Sequence, residues 1–323
     1  MAKDIVTLDT KDKRILAELD MDARLPLTVL GKRVGLSREV VYYRIRQLEK
    51  KGVIEGYYTA VDISKFGYIY CRLFLKYRMM RQEDENRLLD YCRKSKNIKW
   101  VALGEGRWDI TLVILAKTLE GIERTYGELT STFGKFFQNP YTTIAFRIHH
   151  FKHNYLYGTN DETDLVLGCS GLVEIDEDDK RLLDELSTNA RIPLNELAKK
   201  LNMNPKKASY RIKKLIQKKV ILAFRTKLNT KLLGYDHYKV FLTLQDFTAT
   251  TEKTLYTYLL LHPGVIYITK PMGMHNLEFE IMVGGSNELH EFIRDFRIMF
   301  AEIVVDYDTM LNYAEPILGY IPN

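Results

Sequence analysis

Leu36-Ser37-Arg38-Glu39-Val40-Val41-Tyr42-Tyr43-Arg44-Ile45-Arg46-Gln47-Leu48-Glu49-Lys50-Lys51-Gly52-Val53-Ile54 reads as one short helix with two faces. Val41, Ile45 and Leu48 stand at i, i+4 and i+7 and make one apolar stripe. Ser37 can accept from the free N–H groups of the first turn, and Gly52 suits the end of the helix. The other face carries Arg38, Glu39, Tyr42, Tyr43, Arg46 and Gln47. Such side chains reach base edges and phosphates when a helix lies in a major groove. Taken alone, the pattern fits a solvated basic face equally well.

Upstream, residues 9–21 have a helical pattern with Ile15, Leu16 and Leu19 apolar, and Pro26 opens a second short helix, 27–34, that ends at Gly35. Helix, short helix, tight turn and basic amphipathic helix is the helix-turn-helix order. The chain then repeats it. Adding 167 maps residues 8–68 onto the second half without a gap. Arg14 meets Arg181, Ala23-Arg24 meets Ala190-Arg191, Pro26-Leu27 meets Pro193-Leu194, and Tyr43-Arg44-Ile45 meets Tyr210-Arg211-Ile212. The chain is therefore a tandem duplication of one two-part unit.

Outside the helix-turn-helix, each half alternates strands and helices in the order β-α-β-β-α-β, the ferredoxin-like arrangement. In the first half the strands fall at 68–79, 98–103, 108–116 and 144–155, and the helices at 83–94 and 119–133. The fold expected is α+β, with two winged helix-turn-helix domains alternating with two ferredoxin-like domains. The boundaries expected are 1–62 and 63–156 for the first unit, a polar linker at 157–174, then 175–229 and 230–323.

Composition permits this reading without forcing it. The 323 residues carry 48 basic and 42 acidic side chains, a formal charge of +6, which allows nucleic-acid binding but does not demand it. Cys71, Cys92 and Cys169 lack CxxC spacing, so a zinc site is not expected and a reducing, cytoplasmic setting is. No apolar run is long enough to span a membrane.

The two basic helices differ. Residues 37–51 hold Arg38, Arg44, Arg46, Lys50 and Lys51 against Glu39 and Glu49. Residues 204–219 hold Lys206, Lys207, Arg211, Lys213, Lys214, Lys218 and Lys219, with Ser209 and Tyr210 between them and no acid. Lysine neutralises phosphate as a point charge, whereas Arg and Tyr suit directed contacts. Both helices are therefore candidates for double-stranded DNA, the first carrying more of the sequence preference. Arg44 and Arg211 lie beside the apolar stripe and fit either a phosphate contact or an ion pair with Asp12 or Asp179. The run Asp176-Glu177-Asp178-Asp179 looks like a metal site, but it opens a helix, where acids favour the dipole.

Each half resembles the leucine-responsive regulator (Lrp/AsnC) family. The residues that carry the likeness are Leu8-Asp9, Asp12, Ile15-Leu16, Ala23-Arg24, Leu30, Leu36-Ser37, Arg44-Ile45, Leu48-Glu49 and Gly52-Val53-Ile54. Gly104-Glu105-Gly106-Arg107-Trp108-Asp109-Ile110 then resembles the glycine-containing strand-turn-strand of the family's effector domain. The resemblance implies a DNA-binding transcription regulator, paired through its ferredoxin-like domains and responsive to an amino acid. Carried over, Gly104, Gly106, Trp108 and Asp109 would hold the effector, Asp109 taking its ammonium group; the alternative is a tight turn with Trp108 in the core. In the second half the same reading puts His275 at Gly106 and Glu278 at Asp109. Pairing is expected within one chain, as a pseudo-dimer of the two halves.

Two other readings stand beside this one. Siroheme decarboxylases resemble the family and also occur as two related halves, with a histidine-containing cluster around a tetrapyrrole. This chain has His149, His150, His153, His262 and His275, but no His-Asn-Tyr-like cluster on the strand after Gly264. The other is a partner module without DNA binding. No catalytic triad, paired-carboxylate site, phosphate loop or metal-ligand cluster emerges. The chain is thus expected not to be an enzyme and to need no cofactor or metal.

Overall fold

The computed structural model describes residues 5–168, 171–319 and 321, so Cys169 and Pro322 lie outside it. The first half runs α1 (Thr10–Leu19), α2 (Leu27–Val34), α3 (Arg38–Lys50), β1 (Ile54–Val61), β2 (Ile69–Tyr77), α4 (Gln82–Lys94), β3 (Ile98–Gly106), β4 (Ile110–Ala116), α5 (Leu119–Phe133) and β5 (Phe137–His150). A short α6 (Asn154–Tyr157) and β6 (Leu165–Leu167) follow. The second half runs α7 (Glu177–Thr188), α8 (Leu194–Lys200), α9 (Pro205–Gln217), β7 (Ile221–Leu228), β8 (Asp236–Leu244), α10 (Ala249–Leu261), β9 (Val265–Met272), β10 (Leu277–Val283), α11 (Ser286–Met299) and β11 (Val304–Leu318).

The two compact units of the chain are not its two halves. One gathers both helix-turn-helix domains (Met1–Asp62, Phe151–Leu165 and Val173–Tyr235), and the other gathers both ferredoxin-like domains (Ile63–His150, Val166–Leu172 and Asp236–Asn323). The stretch expected as a polar linker, 157–174, contributes to both, and β6 within it lies beside β5 in the sheet. The last strand of the first domain begins at Phe137, not near 144, because it pairs with β2 from Tyr77↔Phe137 onward. Asn139 (φ 48°) and Pro140 hid it, since they read as a turn. They sit at a register shift in that ladder, where the missing proline N–H is tolerated.

In the helix-turn-helix unit, β1 and β7 form a two-stranded antiparallel sheet, with Tyr57 opposite Thr226 and Ala60 opposite Ala223. The bonds around it come in pairs related by the 167-residue offset. Ala23 N donates to Phe224 O and Ala190 N to Tyr57 O; Asp62 N donates to Val220 O and Asn229 N to Val53 O. Arg24 lies over the Phe224 ring and Arg191 over Tyr57. The two domains are thus joined about an approximate two-fold axis. Asp20 and Arg225 break the symmetry, as a fully buried pair 2.7 Å apart.

In the other unit, β2, β4, β3, β11, β8, β10, β9 and β5 are hydrogen-bonded in that order, and β5 pairs back to β2, so the sheet closes on itself. Two seams join the halves. Gly104 stands opposite Asn312 in one, and Pro271 opposite Ala145 in the other, the same register with the halves exchanged. Helices cover only the outside. Cys71, Leu73 and Leu75 of β2 pack under α4 and α5 with Leu88, Leu129 and Phe133, while Phe74 points inward to Trp108, Phe241 and Met310. All seven residues of β10 are buried.

Two consequences are measurable. A Cβ on Gly104 would stand 2.3 Å from Met310 Cε and 2.7 Å from Leu311 O, whereas one on Gly127 in α5 would meet nothing within 4 Å. Gly104→Ala should therefore cost about 1–3 kcal/mol in urea unfolding, and Gly127→Ala should be neutral or stabilise by roughly 0.5–1 kcal/mol. Equal effects would contradict the close approach of β11. For Asp20, burial pushes the carboxyl pKa up, but the charges of Arg225 and His153 and their hydrogen bonds outweigh it and hold it below its ordinary value. A depressed carboxyl adds stability above the unfolded pKa of about 3.9 and loses it as pH falls through the folded value. The urea midpoint should fall below about pH 4; Asp20→Asn should cost about 3–5 kcal/mol at neutral pH by stranding Arg225 and should flatten that fall.

Candidate nucleic-acid interface

The first recognition helix is fixed from behind. Val41, Ile45 and Leu48 are buried against Ile15, Leu16, Leu30 and Val34. Gly35, in left-handed conformation (φ 67°), ends α2, and Ser37 caps α3 by accepting from Val40 N. Arg38, Glu39, Tyr42, Tyr43 and Arg46 are exposed and Gln47 is half-buried. Tyr42 and Tyr43 keep 55% and 63% of their surface, unusual for aromatic rings in a folded domain. Arg46 pairs with Glu49 at 2.9 Å on the surface, a contact weak enough to be exchanged for a phosphate.

The second helix is built alike from different residues. Asn202 (φ 52°) takes the place of Gly35 in left-handed conformation, and Asn204 caps α9 by accepting from Lys206 N, with Pro205 following. Lys206, Lys213, Lys214 and Tyr210 are exposed, and Ser209 is half-buried. Lys207 reaches back to Asp178 at 2.7 Å, and that contact lowers the carboxyl's pKa.

Arg44 and Arg211 turn inward instead. Arg44 Nη1 lies 2.7 Å from Asp9 Oδ2 and 2.8 Å from Asp12 Oδ1, and Arg211 Nη1 holds Asp176 Oδ1 and Asp179 Oδ1 in the same way. They clasp the recognition helix to the first helix of each domain, and the Asp176–Asp179 run is accounted for by this clasp and a capping box. Beside Ser37 and Arg38, α2 exposes Lys32 on a shallow cleft that Thr28 also lines. Sequence reasoning missed these two, although their i, i+4 spacing next to the cap places them there.

The four effector candidates are engaged in the closed sheet. Trp108 is 2% exposed and sits among Phe74, Tyr141, Phe241 and His275 inside the closed sheet. Gly104 and Gly106 let β11 approach, a Cβ on Gly106 falling 2.5 Å from Thr309 O. The Asp109 carboxylate accepts from Lys76 Nζ and Tyr77 N, both at 2.7 Å. The equivalence of Asp109 with Glu278 is also corrected. Leu244 N donates to Asn276 Oδ1 as Tyr77 N does to Asp109, so the 167-residue offset holds unshifted. Asp109 matches Asn276, Trp108 matches His275, Gly106 matches Gly273, and Glu278 matches Thr111.

Comparison with known proteins adds the following. The AsnC-type helix-turn-helix domain matches twice, at residues 8–49 and 175–216. The leucine-responsive regulatory protein of Rhizobium meliloti is 33% identical over 135 residues, which cover 39% of this chain and 83% of that protein. The helix-turn-helix transcriptional regulator LrpA of Pyrococcus horikoshii is 44% identical over 61 residues, 19% of this chain and 43% of LrpA. Matches of that second kind span about two fifths of the relative's own length. The crystal structure of the siroheme decarboxylase NirDL superposes with a TM-score of 0.63 over 97% of this chain and 94% of that one, at 13% identity, which is a likeness of fold. That likeness overturns the expectation that the chain is not an enzyme, because an enzyme shares its whole architecture. With the twofold domain match and the Rhizobium relative, the chain belongs to the Lrp/AsnC family, as a tandem duplication of the family's two-domain unit.

Proposed function

We propose that the protein is a transcription regulator that binds double-stranded DNA through α3 and α9 and reads two unlike half-sites with them. The observation that carries this is the outward face of α3, where Arg38, Tyr42, Tyr43 and Arg46 are exposed while the helix is capped, packed and clasped from behind. The lysine-rich face of α9 supports phosphate neutralisation more than base reading. The pairing of β1 with β7 relates the two helices by an approximate two-fold axis, the arrangement by which paired helix-turn-helix units meet successive turns of one DNA face.

Two measurements test it. Replacing Lys206, Lys213 and Lys214 by Ala should weaken binding to all DNA and reduce the salt slope by roughly 0.9 per lost phosphate contact. Arg38→Ala should instead change preference at particular bases, by about 1–3 kcal/mol if the contact is bidentate. Selection from a random DNA pool should return two different half-sites about 10 base pairs apart, or a multiple of that. A perfect palindrome, or the same uniform loss from both sets of substitutions, would refute the division of labour.

A second reading, decarboxylation of a tetrapyrrole substrate, rests on the fold shared with NirDL alone. Of the histidines named for that reading, His149 packs on Tyr256, His150 on Tyr267, His153 on Tyr155 and His262 on Phe292, and His275 lies in the aromatic cluster. A shifted Soret band on adding an iron tetrapyrrole, with release of carbon dioxide, would support it; an unchanged spectrum would remove it.

A further inference from the structure

The inner faces of the two ferredoxin-like sheets differ, and the 167-residue repeat allows them to be compared position by position. In the second half this face carries Lys239, Glu278 and Glu280, all buried. The equivalent residues of the first half are Arg72, Thr111 and Val113. The Arg72 guanidinium crosses the interior of the closed sheet, with Nη1 2.5 Å from Glu278 Oε2 and Nη2 2.8 Å from Glu278 Oε1 and from Thr143 Oγ1. Lys239 Nζ lies 3.0 Å from Glu278 Oε2 and 2.8 Å from Glu280 Oε1, and His237 Nε2 is 2.7 Å from Glu280 Oε2.

Counting the guanidinium, the ammonium and the two carboxylates, and leaving the His237 imidazole uncharged, the network is neutral. Neither half is neutral alone. The first supplies a guanidinium and no carboxylate, and the second supplies two carboxylates and one ammonium group. We propose that this buried network is a pairing code, by which the inner face of each half accepts the other half and rejects a second copy of itself. Two first halves would bury a pair of guanidinium groups facing Thr111 and Val113. Two second halves would bury four carboxylates against two ammonium groups and two imidazoles, a negative excess with the imidazoles uncharged. Removing charges from water without balancing partners is strongly unfavourable, so only the mixed pair closes.

The backbone cannot make this distinction. Both seams have the same register, Gly104 opposite Asn312 and Pro271 opposite Ala145, so strand pairing alone would also join like halves from two chains. The code is independent of what the helix-turn-helix domains bind. Its effect is to keep one first half and one second half together in every closed sheet.

The test exchanges the inner faces within the full-length chain. One chain carries Lys239→Arg, Glu278→Thr and Glu280→Val, which makes both faces first-half-like. A second carries Arg72→Lys, Thr111→Glu and Val113→Glu, which makes both second-half-like. A third carries all six substitutions and so restores one face of each kind, with the halves reversed. The first two should melt on the order of ten degrees below the wild type, and the third should recover at least half of the loss. Like-faced chains that melt with the wild type would overturn the code. Because six substitutions can fail on packing alone, the isosteric Glu278→Gln decides if the third chain does not fold. It should lower the melting temperature, and Arg72→Met in the same chain should reverse the drop. Melting of the Glu278→Gln chain with the wild type, or no reversal by Arg72→Met, would overturn the proposal.

Discussion

A four-stranded ferredoxin-like sheet with helices on one side has a second face that must be covered, and most of this molecule follows from how that is done. β2 and β10 are buried on both faces, yet α4, α5, α10 and α11 cover only one. The other face of each half is covered by the other half. Closing the ring also pairs the edges of β3 and β5 with β11 and β9, which removes exposed edges open to unwanted strand addition. The family's glycine-containing hairpin is spent on this closure. Gly104 and Gly106 admit a neighbouring strand, Trp108 fills the interior, and Asp109 ties the hairpin to Lys76 and the Tyr77 amide.

The helix-turn-helix unit meets the same requirement on a smaller scale. Three short helices bury little apolar surface, and a two-stranded ribbon is marginal alone. Pairing β1 with β7 lets each domain borrow from the other repeat: Leu233 packs in the core of the first domain, and Arg24 reaches the Ala190 and Ile192 carbonyls. Arg44 and Arg211 hold α3 and α9 from the inner side, which leaves Arg38, Tyr42, Tyr43, Lys206, Lys213 and Lys214 exposed.

Duplication within one chain lets the two copies diverge without losing their fit. Asn202 and Lys219 occupy left-handed positions that Gly35 and Gly52 occupy in the first copy. Asparagine tolerates that conformation; lysine carries a strain of about 1–2 kcal/mol and adds a charge at the end of α9. The same freedom produces the buried pair of Asp20 with Arg225, whose equivalents are Ser187 and Tyr58. In a symmetric dimer of identical chains such a pair would occur twice, whereas here Asp20–Arg225 occurs once.

The sequence by itself determined the helix-turn-helix, its caps, the α+β class and the duplication. Each is written in local signals: the apolar stripe of Val41, Ile45 and Leu48, Ser37 before it, Gly35 in the turn, and an ungapped repeat. For Arg44 and Arg211 it left a phosphate contact and an ion pair with Asp12 or Asp179 equally open, and the structure shows the ion pairs. Only the tertiary structure decided that like domains gather with like, that β5 starts seven residues before the sequence signal, and that Asp109 corresponds to Asn276. It alone decided that Arg72 faces Glu278 across a buried interior. The physical reason is that strand neighbours and buried ion pairs are set by contacts between residues far apart in the chain. A lone arginine in an apolar strand carries no mark of the carboxylate, two hundred residues away, that makes its burial possible.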